Sequence, residues 1–196
     1  MRSSVWVGAM LASLLVSPPA WATTYKIDQG HSTMGFKIRH LFSQVTGTFD
    51  EYEGTFDYVP GQPEQWKAEA TVQAASINTR LQQRDKHLRS KDFFDVGQHP
   101  TLTFRSTRVT DVRGNKAKLH GVLSIHGVEK PVVFDLDIHG EGKDPWGNVR
   151  SGFTARTQIN RKDFGLEWNE TLETGQVLVG EEVDLILEIE GLAQAG

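Results

Sequence analysis

Ser76–Ser106, SINTRLQQRDKHLRSKDFFDVGQHPTLTFRS, is the one long stretch of this 196-residue chain that does not alternate apolar and polar residues. On both sides the side chains follow period two, the mark of half-buried strands. Inside it, Asn78 or Thr79 is placed to cap a helix through Arg80–Leu88. Leu81 and Leu88 share one face of that helix, with Arg84 beside them. Ser90 is placed to cap a second short turn carrying Phe93 and Phe94, and Pro100 opens the next strand. Arg84, Asp85 and His87 thus stand together beside two aromatics, a combination that suits a ligand with a polar head and a greasy tail.

Upstream, Tyr25–Ile27 leads into the turn residues Asp28–Ser32, and Met34, Phe36 and Ile38 alternate with Thr33, Lys37 and Arg39. Gln44–Val59 reads as one long strand bent near Asp50, where a bulge would change its curvature. Pro60–Pro63 is a turn, and Trp66, Ala68, Ala70, Val72 and Ala74 then share a face.

Downstream, Leu102 and Phe104 open a strand, and Gly114–Asn115 makes a tight turn. The next faces are Ala117–Ile125, Val132–Ile138 and Val149–Ile159, with Gly127–Pro131 and Asp144–Asn148 as turns. Asn160–Gly175 is irregular and carries Phe164 and Trp168. Val183–Ile189 is the last strand. About eight long strands with short connections describe an antiparallel meander closed into a barrel. The expected fold is therefore all-β: an eight-stranded, lipocalin-like antiparallel barrel with a short helical crossing segment between strands 3 and 4. Such a barrel encloses either packed side chains or one small ligand.

The N-terminus reads as a secretory signal peptide over residues 1–22. Arg2 precedes an apolar run over Val5–Val16, Pro18 and Pro19 break it, and Ala20-Trp21-Ala22 suits cleavage after Ala22. The run is shorter than the roughly 20 residues that span a bilayer. Residues 23–196 would then form one exported domain, expected in the periplasm. The chain has no Cys, which excludes disulfides, thiol nucleophiles and thiolate metal sites. A net charge of −4 without a basic tract argues against nucleic acid.

The chain carries Asp28-x-x-His31-Ser32, Phe36-Lys37-Ile38-x-His40, Gly47-x-Phe49, Arg84-Asp85-x-His87-Leu88, Phe93-Phe94-Asp95 and Gly180-Glu181-Glu182-Val183. Taken together, these motifs resemble the YceI-like family of bacterial polyisoprenoid-binding proteins. Their order and spacing carry the resemblance across the whole mature chain. It implies an extended lipocalin-like barrel with an isoprenoid chain inside, often in the periplasm, and no agreed catalytic residues.

On that footing Arg84 either grips a pyrophosphate or polar ring or makes a structural ion pair with Asp85 or a strand carboxylate. His87 either donates to a headgroup or serves as a cap or packing residue. His31 and His40, at the ends of the first long strand, are pocket residues or structural hydrogen-bonders. Phe36, Phe56, Phe104, Phe134 and Phe153 either line a tunnel or fill a core. The seven His form no HxH or HExxH pair, so no metal site is expected. The expected ligand is a non-covalent polyisoprenoid lipid, a prenyl quinone or prenyl phosphate, with no other cofactor. Transient membrane contact and a monomer or homodimer complete the expectation. Two rival functions stay open: a headgroup enzyme using Asp85 and His87 as an acid–base pair, and a filled-barrel structural or stress protein.

Overall fold

A computed structural model describes residues 22–173 and 175–194. The signal-peptide reading falls on residues that lie almost wholly outside this range. Eleven strand segments and one helix make up the described chain. The segments are β1 (Thr23–Ile27), β2 (Thr33–His40), β3 (Ser43–Phe49), β4 (Tyr52–Tyr58), β5 (Lys67–Gln73), β6 (Ile77–Asn78), β7 (Thr101–Arg113), β8 (Lys116–Ile125), β9 (Val128–Lys143), β10 (Val149–Asn160) and β11 (Val179–Ala193). The helix, α1, is Gln82–Leu88.

All pairings are antiparallel, and β1 closes the sheet onto β11. The first six segments reduce to three bent strands. β1 and β2 lie one after the other along β11, with Ile27 opposite Gly191 and Phe36 opposite Leu185. β3 and β4 continue each other across Asp50, as the expected bend requires, and β5 and β6 are separated by a 3-10 turn at Ala74–Ser76. Eight positions around the barrel result. The helix therefore falls between β6 and β7 of the chain rather than between a third and a fourth unbroken strand, because each of the first three strands is cut by a bend.

Alternation drives the closure. Along β8 every second residue, Ala117, Leu119, Leu123 and Ile125 among them, is buried. Phe134 and Leu136 of β9 face Leu119 and Ala117 across the ladder. One turn differs from expectation. His126 and Gly127 alone connect β8 to β9, both with positive φ, as a two-residue hairpin demands. Pro131 therefore lies inside β9, opposite Val122.

The barrel is packed at one end. Phe56 stacks on Tyr25 at 5.0 Å and meets Phe153 edge-on at 5.1 Å, while Phe104 meets Phe134 edge-on at 5.3 Å. Each such pair adds about 0.5–1.5 kcal/mol beyond the area it buries. Gly191 and Gly121 make room for the Phe56 and Phe104 rings, which a Cβ at either position would overlap.

At the other end the wall has a gap. β5 pairs with β7 over Glu69–Gln73, and then the chain turns away to pair with β3 instead. Residues 79–99 fill the space between β6 and β7. Arg89 fastens this segment to its own approach, donating to the carbonyls of Ala75 at 2.6 Å and Ile77 at 2.8 Å.

Candidate ligand cavity

The gap opens into a cavity of about 520 Å³. Binding pockets for small molecules run to roughly 300–1,000 Å³. Its walls are apolar: Phe36 and Phe49 from β2 and β3, Val183 and Leu185 from the neighbouring β11, and Leu102 and Ile125 from β7 and β8. A smaller space of about 120 Å³ adjoins it toward the packed end and shares Phe36, Phe49, Leu102, Ile125 and Leu185. Two further grooves of similar size are bordered largely by charged and polar residues.

Phe36 owes its place to glycine. A Cβ on Gly47 would run into the Phe36 ring and the Thr79 methyl, so the bare backbone lets the ring lie against β3. Phe36, Phe49 and Phe94 then form a chain of ring contacts at 5.8 and 5.7 Å.

The mouth is bridged by three rings. His87 of α1 meets Trp168 at 4.8 Å and Phe93 at 5.1 Å, and Phe93 meets Trp168 at 5.2 Å. The cluster joins the crossing segment to the β10–β11 connection. His87 Nε2 lies 2.9 Å from an Asp92 carboxylate oxygen, which fixes the ring.

Arg84 and Asp85 do not pair directly. The Thr79 hydroxyl donates to Asp85 at 2.5 Å and accepts from Arg84 Nε at 2.7 Å. Arg84 Nη2 also donates to the Thr79 carbonyl at 2.8 Å, and Asp85 accepts the Thr79 backbone N–H at 2.8 Å. Asn78 and Thr79 do not cap the helix: Arg80 turns with φ of 63°, and α1 starts only at Gln82 with no side-chain cap. Buried Asp85 thus orders the loop before α1, while Arg84 borders the cavity.

The remaining expected residues divide by place. Phe36, His40, Arg84, His87, Phe93 and Phe94 border the large cavity. Phe56, Phe104, Phe134 and Phe153 do not border it; they line the smaller adjoining space and mostly fill the packed end. His31 stands outside the barrel beside Asp28, which also binds Arg150 at 2.7 Å. The Arg150 guanidinium, first, and His31, second, hold the Asp28 carboxyl below its usual range. Asp28, His31 and Glu190 lie close enough to suggest a cation site, but Arg150 also binds Glu190 and already supplies the positive charge.

Several cavity residues come from the stretch that sequence reading leaves irregular. Asn160 caps a 3-10 turn at Arg161–Phe164, and Gly165 leaves it with φ of 75°. This turn sets Arg161, Phe164, Leu166 and Trp168 along the wall. Their one sequence signal is a pair of aromatics in a segment with no period.

The chain is thus a closed antiparallel barrel, packed at one end and hollow and apolar at the other. The chain belongs to the YceI-like family, whose domain model matches residues 25–191. It is 41% identical over 197 residues to a UPF0312 protein of Ectopseudomonas mendocina, covering 99% of this chain and 100% of that one. Among solved structures it is similar to the YceI protein of Campylobacter jejuni: 31% identity, TM-score 0.70, 80% of this chain and 90% of that one. Burkholderia cenocepacia BcnA shares the fold at 22% identity and TM-score 0.75, over 84% and 98% of the two chains. So does a polyisoprenoid binding domain from Saccharophagus degradans, at 16% identity and TM-score 0.64, over 88% and 99%.

Proposed function

We propose that this protein holds a polyisoprenoid lipid, a prenyl quinone or prenyl phosphate, in its barrel as a carrier or reservoir. The observation that carries the reading is the apolar cavity of about 520 Å³ behind the His87–Phe93–Trp168 cluster. An apolar chain entering it gains roughly 0.8 kcal/mol for each buried CH₂ group. The Saccharophagus neighbour, described as polyisoprenoid binding, supports the ligand class. In this reading Phe36, Phe93, Phe94 and His87 meet the ligand near the mouth, and Phe56, Phe104, Phe134 and Phe153 close the far end. Residues 1–22 direct the chain to the periplasm, where it acts as a monomer or homodimer.

Loading from a membrane fits the rim. Phe42, at the tip of the β2–β3 hairpin, is 89% exposed, and Leu81, which borders the cavity, is 52% exposed. The adjacent Leu41 N–H donates to the carbonyl of Leu178, another cavity residue, so the hairpin tip sits at the mouth. Arg80, Lys86 and Lys91 are exposed on the crossing segment and suit an anionic lipid surface.

Binding is favoured over headgroup chemistry because the acid–base pair is not assembled: Asp85 is committed to Thr79 and His87 to Asp92. Native mass spectrometry of protein from its own periplasm tests the proposal. A 1:1 adduct of isoprenoid mass is expected. Ligand-free protein that also refuses isoprenoids in vitro would overturn it.

A further inference from the structure

Arg161 is a guanidinium in the wrong surroundings for a structural residue alone. It borders the apolar cavity and is only 3% exposed. Its Nε donates to the Gly180 carbonyl at 2.8 Å, and Nη1 donates to the Leu166 carbonyl. Nη2 is buried and has no partner, and no carboxylate forms an ion pair with Arg161 among the described residues. Buried polar groups are nearly always satisfied, and an arginine keeps its charge at any ordinary pH. Burial pushes its pKa down, and the more distant Glu181 offsets that only in part. A cation with a spare donor on the wall of an apolar cavity favours an oxygen acceptor brought in by the occupant.

We propose that Arg161 anchors the polar end of the ligand, so that the cavity selects apolar chains ending in an oxygen acceptor, anionic ones most strongly. This rests on the lipid-binding reading above and adds to it the site and the chemistry of the head. Arg84 is the weaker anchor. It stands partly in solvent at the mouth, where water competes for its free donors, and Thr79 already takes its Nε and Nη2. A carboxylate or phosphate reaching Nη2 gains a charge-assisted hydrogen bond in a low-dielectric setting. A quinone carbonyl satisfies the same donor without the charge.

The test is a series of probes with one farnesyl tail: farnesyl phosphate, farnesoic acid, farnesol and farnesene, titrated into the wild-type protein and followed by calorimetry. The expected order is phosphate and acid first, then alcohol, then hydrocarbon, with roughly tenfold or more between the ends. The phosphate and acid arms separate the two sources of negative charge. Arg161→Gln should close the gap between acid and farnesene, whereas Lys143→Gln, an exposed cation away from the cavity, should keep it. Arg161 also ties down two backbone carbonyls, so Arg161→Gln is at risk of misfolding. The wild type therefore carries a second readout: the NMR signals of the labelled Arg161 side chain should shift with farnesoic acid and not with farnesene. Equal affinity across the series, a preference that survives Arg161→Gln, or side-chain signals indifferent to the acid would overturn the anchor while leaving lipid binding intact. Failure of every probe, farnesene included, would overturn the lipid-binding reading as well.

Discussion

Asp85 accepts two hydrogen bonds from Thr79, one from its backbone N–H at 2.8 Å and one from its hydroxyl at 2.5 Å. Both residues are buried, and α1 has no side-chain cap of its own. This contact is what starts the crossing segment on its course. Hydrogen bonds to a charged acceptor are worth about 1.5–3 kcal/mol each. Asp85→Ala should therefore lower the unfolding free energy by about 3 kcal/mol or more in urea titrations. Asp85→Asn should cost less, because both bonds go to the one oxygen Oδ1 and an amide oxygen in its place still accepts them, without the charge.

Gly47 and Phe36 give the second prediction. A methyl at position 47 would meet both the Phe36 ring and the Thr79 side chain, so Gly47→Ala must push the ring into the cavity or distort β3. Overpacking of this kind costs about 1–3 kcal/mol. It should also weaken binding of an apolar chain, measured by calorimetry. Gly142→Ala, where nothing lies within reach of the new methyl, should leave both properties unchanged.

The acid limb of stability should depend on Arg150. Its guanidinium binds Asp28 at 2.7 Å and Asp144 at 2.9 Å, joining the β1–β2 bend to the β9–β10 hairpin. Asp28 is held low by Arg150 and then His31, and Asp144 by the Asn148 side chain and then Arg150. Carboxyls with depressed folded-state pKa values stabilise fully above their unfolded values, and that contribution is lost as pH falls through the folded ones. The wild type should lose this part of its stability as pH drops from about 5 toward 2, given an unfolded Asp near 3.9. Arg150→Met should start less stable at pH 7 and show a flatter decline, read from denaturant midpoints across that range.

The rim bears on transfer rather than on affinity. Phe42 does not border the cavity, so Phe42→Ser should leave the affinity for a soluble short-chain isoprenoid unchanged. Extraction of a long-chain isoprenoid from anionic vesicles should slow several-fold in the same variant. A matching change in Trp146→Ser would argue against the assignment, since that exposed ring sits on the β9–β10 hairpin beside the packed end.

Much of this was legible in the sequence, for a physical reason. Period-two burial over β8 and over Val132–Leu136 of β9 is a direct consequence of strand geometry, and the break at Asp50 marked the bend between β3 and β4. The crossing segment stood out because it lacked that period. The start of α1 did not: Asn78 and Thr79 look like caps, but Asn78 accepts from the Arg80 N–H in a local turn and Thr79 is claimed by Asp85. The wall residues Arg161, Phe164, Leu166 and Trp168 were equally hidden. They belong to a 3-10 turn and an extended segment without repeat, and only three-dimensional closure brings them opposite Phe93 and His87. Nor could alternation tell a ring that lines a cavity from one that fills a core. That distinction depends on where each ring falls along the closed barrel: Phe36 beside the large cavity, Phe56 and Phe104 at the packed end.

The most direct test of the hollow barrel is the anomalous scattering of a terminally brominated isoprenoid in crystals of the protein. One bromine peak inside the barrel is expected, in the space between Phe36, Phe49, Leu102 and Leu185. A peak only on the outer wall, or none in crystals grown with saturating ligand, would contradict the account.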